Sequence, residues 1–133
     1  MRNLEDKLQE ACVTWFRLQY PGVIIFAIPN GGSRNEIEAA KLKRTGTLAG
    51  VADLFVMKDK YTSIEIDDKT VGNPILNYMT IEHGLFVELK VGKNQQTPAQ
   101  KVFQEKAEYA GFKYQVCRSI EEFMNVVNEY MMP

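Results

Sequence analysis

Three ionisable side chains in this chain of 133 residues fall inside apolar, strand-like runs. Asp53 sits within Val51-Ala52-Asp53-Leu54-Phe55-Val56, and Glu88 and Lys90 sit within Leu85-Phe86-Val87-Glu88-Leu89-Lys90-Val91. A carboxylate in such a place is costly unless it is paired or ligates a cation. Glu88 and Lys90 are two apart, so on a strand both leave the same face. If their strand neighbours that of Asp53, two carboxylates converge with an ammonium beside them. Carboxylates are hard oxygen donors suited to Mg²⁺ or Mn²⁺, and the lysine can orient or deprotonate a water and steady charge on a phosphate. The chemistry implied is metal-assisted hydrolysis.

The Glu-x-Lys spacing is weak by itself. With 12 Glu and 11 Lys in the chain, about one such triplet arises by chance, and Glu5-x-Lys7 is another. Asp67-Asp68-Lys69 is a rival, but its strand is short and no helix cap follows. Among the other candidates, His83 is the only histidine and has no partner at ligand spacing, which makes it a loop residue. Cys12 and Cys117 form no CxxC or Cys/His cluster and read as buried thiols, so neither a zinc site nor a disulfide scaffold is indicated. Gly31, Gly32, Gly46 and Gly50 serve turns, and without a following Gly-Lys-Ser/Thr they do not make a P-loop.

The elements that must carry these residues follow from periodicity. Leu4, Leu8, Ala11, Cys12 and Trp15 define one face of a helix that ends before Tyr20-Pro21-Gly22. Val23 to Ile28 reads as a buried strand, and Ser33-Arg34-Asn35-Glu36 reads as a capping box opening a helix to Arg44. Gly46 to Gly50 ends that helix, and strands are expected over Val51 to Lys58, Tyr61 to Ile66 and Gly84 to Val91. No clear period marks residues 71 to 83. Thr97-Pro98-Ala99-Gln100 is a second capping box with proline at N1, and its helix stops at Gly111. Position N3 of that box is by itself a sufficient reason for Gln100. A strand from Phe112 to Arg118 and a helix from Ser119 complete an α/β order, with helices around a mixed sheet.

Length and composition fit one domain: 45% hydrophobic, 25% charged and 11% aromatic residues exclude disorder and coiled coil. No apolar run approaches the ~18 residues of a membrane span and the N-terminus is charged, so a cytoplasmic protein is expected. A net charge of −1 argues against a uniformly basic nucleic-acid coat protein. Cations nevertheless cluster locally, with Arg34, Lys41, Lys43 and Arg44 in one stretch and Lys90, Lys93, Lys101 and Lys106 in another. Arg34, Lys41, Lys43, Arg44 and Lys93 are the candidates for contact with a DNA backbone. For the end of the second helix, a solvated cationic terminus that complements the dipole is the plainer alternative.

Taken in order, the motifs resemble the virus-type replication-repair nuclease family, VRR-NUC, of the PD-(D/E)XK nuclease superfamily. The likeness runs through the first helix to Trp15-Phe16, Ile28-Pro29-Asn30-Gly31-Gly32, Gly46-x-x-x-Gly50-x-x-Asp53-Leu54, Phe86-Val87-Glu88-Leu89-Lys90, Gly92, Thr97-Pro98-x-Gln100 and Gly111-Phe112. The resemblance implies a restriction-endonuclease-like core with a mixed central β-sheet flanked by α-helices. It also implies a Mg²⁺- or Mn²⁺-dependent endonuclease hydrolysing DNA phosphodiester bonds. Asp53 and Glu88 would hold the metal with the backbone carbonyl of Leu89, Lys90 would serve catalysis, and Gln100 would lie close by. Branched DNA, four-way junctions above all, and a homodimer are the implied substrate and assembly. An inactive nucleic-acid-binding module and a sequence-specific restriction enzyme are the alternatives. Glu88 follows Asp53 by 35 positions, more than compact members of the family are expected to have, which leaves residues 59 to 83 as candidate dimer contacts or a substrate-facing loop.

Related nucleases often borrow a glutamate from the first helix. At 100° per residue, Glu5 lies about 75° from the centre of the apolar face and Glu10 about 145°. Glu5 is therefore expected to approach Asp53 and Glu88, while Glu10 points to water. The resemblance of Glu5 and Leu8-Gln9 to the family's opening motif implies that Gln9 joins it, and a first-turn glutamate favoured by the helix dipole is the plainer alternative.

Overall fold

The computed structural model describes residues 3–29, 35–68 and 72–133. Helix α1 (Leu4–Gln19) is capped by the Asn3 side chain on the Asp6 amide and is followed by strand β1 (Ile24–Ala27). Helix α2 (Glu36–Arg44) comes next, then strands β2 (Leu54–Met57), β3 (Lys60–Asp68), β4 (Asn73–Glu82) and β5 (Leu85–Leu89). Helix α3 (Pro98–Tyr109), strand β6 (Lys113–Cys117) and helix α4 (Ile120–Met131) complete the order.

Two expectations are corrected here. The N-cap of α2 is Asn35, whose side chain accepts from the Glu38 amide, so Glu36 is the first helical residue rather than the N3 partner of Ser33. Asn ranks among the best N-caps. Ser33, Arg34 and the Asn30-Gly31-Gly32 motif lie outside the described residues. Asp53, expected inside a strand, instead immediately precedes β2, although its carbonyl still accepts from the Ile28 amide at 2.8 Å and prolongs the β1–β2 pairing.

The main sheet has the order β1-β2-β5-β6. β1 and β2 pair antiparallel, as do β2 and β5, while β6 runs parallel to β5 with Glu88 opposite Val116 and Phe86 opposite Tyr114. Such a parallel neighbour needs a crossover, and α3 supplies it. Leu85, Val87 and Leu89 leave one face of β5 into the core, where they join Leu54, Val56 and Cys117 beneath Cys12 and Phe16 of α1 and Phe123, Val127 and Tyr130 of α4. Both cysteines are buried free thiols, pushed up to about 12 by desolvation and therefore inert.

The opposite face is aromatic. Phe86 lies 4.6 Å from Phe55, 5.0 Å from Phe103 of α3 and 5.5 Å from Phe112 between ring centroids, and Phe103 continues to Tyr114 at 6.1 Å. This ring cluster seats α3 on the same side of β5 from which Glu88 projects. Strands β3 and β4 form a separate two-stranded sheet, paired from Lys60↔Glu82 to Asp68↔Asn73 with a register shift after Lys60. Its root is tied to α4, since the Lys60 Nζ donates to the Glu129 and Met132 carbonyls and the Tyr130 hydroxyl donates to the Lys58 carbonyl.

Candidate active site

Strand β5 delivers Glu88 to a place where water is nearly absent. The residue is 3% exposed, and Lys90, just past the strand end on the same face, is 8% exposed. The Leu89 amide between them donates to Asp53 Oδ2 at 2.7 Å, which ties the loop before β2 to β5 beyond the last paired residues of the two strands. In a strand, a residue's N–H and C=O point to the same side, so the Leu89 carbonyl also faces the Asp53 side.

Gln100 uses both ends of its carboxamide. Its Oε1 accepts from the Thr97 amide at 2.8 Å, completing the capping box at the start of α3, and its Nε2 donates to Glu88 Oε1 at 2.9 Å. The capping contact and a contact with Glu88, which the sequence leaves as alternatives, are made together. Glu88 Oε2 is buried and has no hydrogen-bond partner. A buried, unsatisfied carboxylate oxygen is rare in native proteins and strongly unfavourable while charged. Burial, first, and then the Asp53 charge push the Glu88 carboxyl up to about 8. A protonated Glu88 can donate to Asp53, which reinforces the shift, while Lys90 opposes it and Glu5 adds to it. Glu5, half-buried in the first turn of α1, is thus within electrostatic reach of Glu88. Gln9 lines a surface groove with Asp6, Glu10 and Arg17 beside Ala27.

Gly50 fixes the approach of the Asp53 loop. It has φ +87°, and a Cβ there would overlap the Ala99 carbonyl and lie 2.9 Å from the Gln100 amide nitrogen. The loop carrying Asp53 and the helix end carrying Gln100 are therefore in direct backbone contact, a closeness that the sequence signals only as a glycine in a turn.

Asp53, Glu88 and the Leu89 carbonyl would offer hard-oxygen donors beside the orphaned Oε2, which suits a divalent cation of the Mg²⁺ type. Among the described residues, no group of three His, Cys, Asp or Glu side chains is arranged to hold a metal, so backbone and water would have to complete the shell. Lys41, Lys43 and Arg44 occupy the exposed last turn of α2, a helix with no buried residue, and Lys93 is exposed in the β5–α3 connection. Arg34 lies outside the described residues. His83 is an exposed loop residue 3.8 Å from Asp59.

A scan against protein-family models gives no match, and neither does a search of curated proteins. A search of solved structures finds a chain described as a VRR_NUC domain protein, with a TM-score of 0.68 and 25% sequence identity over 98% of this chain and 91% of that one. The chain resembles a VRR-NUC domain over nearly its whole length. The VRR-NUC likeness carries the PD-(D/E)XK-like fold with it, a mixed sheet flanked by helices. No helix among the described residues is long and apolar enough to cross a membrane.

Proposed function

We propose that this nuclease-type domain is a Mg²⁺- or Mn²⁺-dependent endonuclease acting on DNA phosphodiester bonds. The observation that carries the reading is the buried Glu88 carboxylate, with one oxygen held by Gln100 and the other unpartnered, beside Asp53 and two residues before Lys90. Asp53, Glu88 and the Leu89 carbonyl would hold the cation, which when bound supplies Lewis-acid polarisation of the phosphate and an acidified water. Gln100 keeps the Glu88 carboxylate from rotating. Asp53, anchored through Oδ2 to the Leu89 amide, keeps its other oxygen for the site. Lys90 places a nearly buried ammonium where it can orient the attacking water or offset charge that develops on the phosphate. Glu5 would add a further carboxylate from α1, outside the metal shell but within electrostatic reach of Glu88.

The exposed cations Lys41, Lys43, Arg44 and Lys93, with Arg34, are assigned to the DNA backbone, so binding should weaken steeply with salt. The preferred substrate is branched DNA, four-way junctions over linear duplex, cut by a homodimer that reads two helical arms. The deciding experiment incubates purified protein with labelled duplex, single-stranded, flap and four-way DNA in Mg²⁺, Mn²⁺ or EDTA, with Asp53→Asn alongside. Metal-dependent cleavage lost in Asp53→Asn supports the enzyme. Absence of cleavage on every substrate, with DNA binding retained, would leave an inactive nucleic-acid-binding module.

A further inference from the structure

Gln104 lies one helical turn after Gln100 on α3, and residues four apart share a helix face. Gln100 reaches Glu88 of β5, and Gln104 Oε1 accepts at 3.0 Å from Gln96 Nε2. The same Gln96 Nε2 also donates to the Tyr114 hydroxyl at 3.2 Å. Tyr114 is 3% exposed, packed against Phe103, and paired in register with Phe86, two residues before Glu88 on the neighbouring strand. Gln96 is also the residue immediately before the Thr97 cap. One carboxamide therefore joins the end of the β5–α3 connection, the second turn of α3 and the buried part of β6.

We infer that Gln96, with Tyr114 and Gln104, is a positioning device for the site: it fixes the rotation and height of α3 on the sheet, and through Gln100 it sets the orientation of the Glu88 carboxylate. A helix pinned at a single point can turn about its axis, but two amide contacts one turn apart on the same face prevent that. The aromatic contact of Phe103 with Phe86 resists lift-off, yet ring packing tolerates small rotations that a hydrogen bond at 2.9 Å does not. Gln96 touches neither carboxylate, so its effect on them must pass through Gln100. This inference rests on the nuclease reading only for its consequence in catalysis; the positioning itself is a property of the free protein.

The test therefore reads the free protein first. In a ¹⁵N-labelled sample, the Gln100 side-chain amide is assigned by its loss in Gln100→Leu, and it should be displaced from the position of an exposed glutamine. Gln96→Leu and Tyr114→Phe should move it most of the way back, while the same substitution at exposed Gln95 leaves it in place. The second readout is Mn²⁺ affinity by calorimetry in a double-mutant cycle. Gln96→Leu should weaken binding about threefold or more in the parent and change nothing in the Gln100→Leu background, because an effect acting through Gln100 is not additive with its loss. An unmoved Gln100 resonance in well-folded Gln96→Leu overturns the inference whatever the metal does, and so does an additive cycle. If the parent binds no Mn²⁺ while the resonance moves as expected, the nuclease reading fails and the positioning device stands.

Discussion

Glu88 is central to the proposed chemistry, and its ionisation has a measurable signature. Its carboxyl is raised from 4.5 to about 8 in the folded chain, chiefly by burial and then by Asp53. The folded state therefore holds a proton that the unfolded state releases. Its contribution to stability is fully present below about 4.5 and is lost as pH rises toward about 8. Urea denaturation of the metal-free protein should show wild type losing stability relative to Glu88→Gln across that interval; a pH-independent difference would mean that Glu88 ionises normally. A bound divalent cation replaces the proton, so Mg²⁺ or Mn²⁺ should stabilise the chain more at pH 8 than at pH 5. The helix-α1 carboxylates give a second test at this scale. Glu5→Gln should lower Mg²⁺-dependent cleavage at least about tenfold, on the order of 1.4 kcal/mol in the barrier, whereas Glu10→Gln should leave the rate nearly unchanged. The reverse ranking in single-turnover rates would mean that another side chain completes the site.

Among the elements, the contact between the Asp53 loop and the start of α3 is the one most sensitive to a single methyl group. Gly46 and Gly50 both have positive φ, but a Cβ on Gly46 meets nothing within 4 Å, whereas one on Gly50 collides with the backbone of Ala99 and Gln100. Gly46→Ala should cost only the conformational penalty, about 1 kcal/mol. Gly50→Ala should cost clearly more in urea denaturation and should also depress cleavage, because Gln100 moves with the helix end. Equal losses of stability in the two variants would show that the close approach is unimportant. This pair also shows how far the sequence could be read. Strand β5 and the Thr97 capping box were legible because each has a local period or cap. The face of α1 was legible only in part, since Cys12 is buried as expected while Leu4 and Ala11 are exposed and Phe16 joins the core instead. Asp53, Glu88 and Lys90 were legible as candidates because charge stood inside apolar runs. Local pattern does not encode what happens between elements. The cap of α2 is Asn35, one of two good cap residues that stand close together. The approach of Gly50 to Ala99 and the bond from Gln96 to Tyr114 depend on how α3 lands on the sheet, and no spacing along the chain reports it.

At the scale of the molecule, the β3–β4 hairpin is the feature that local fold does not explain. An isolated two-stranded sheet is marginal in water, and this one is fastened at its root by Lys60 and Tyr130 to α4. Register places Ile64, Ile66 and Met79 on one face, where Ile66 and Met79 are 43% and 50% exposed, and Leu76 and Tyr78 on the other, 59% and 53% exposed. Exposed apolar surface of this kind is a candidate contact site. Its most economical partner is the same face of a second copy, since a twofold axis buries like against like and closes the assembly at two. The proposed dimer then places two catalytic sites at a fixed separation, which is what paired cuts on a branched substrate require and a monomer lacks. Sedimentation velocity at micromolar concentration should show a dimer for the parent. Ile66→Lys with Met79→Lys should sediment as a monomer with unchanged far-ultraviolet circular dichroism, because neither side chain belongs to the core beneath α1 and α4. The monomeric variant should keep its cleavage of linear DNA within a few fold and lose its preference for the four-way junction. A parent that sediments as a monomer would remove the dimer, and a monomeric variant that still prefers the junction would locate branch recognition within a single copy.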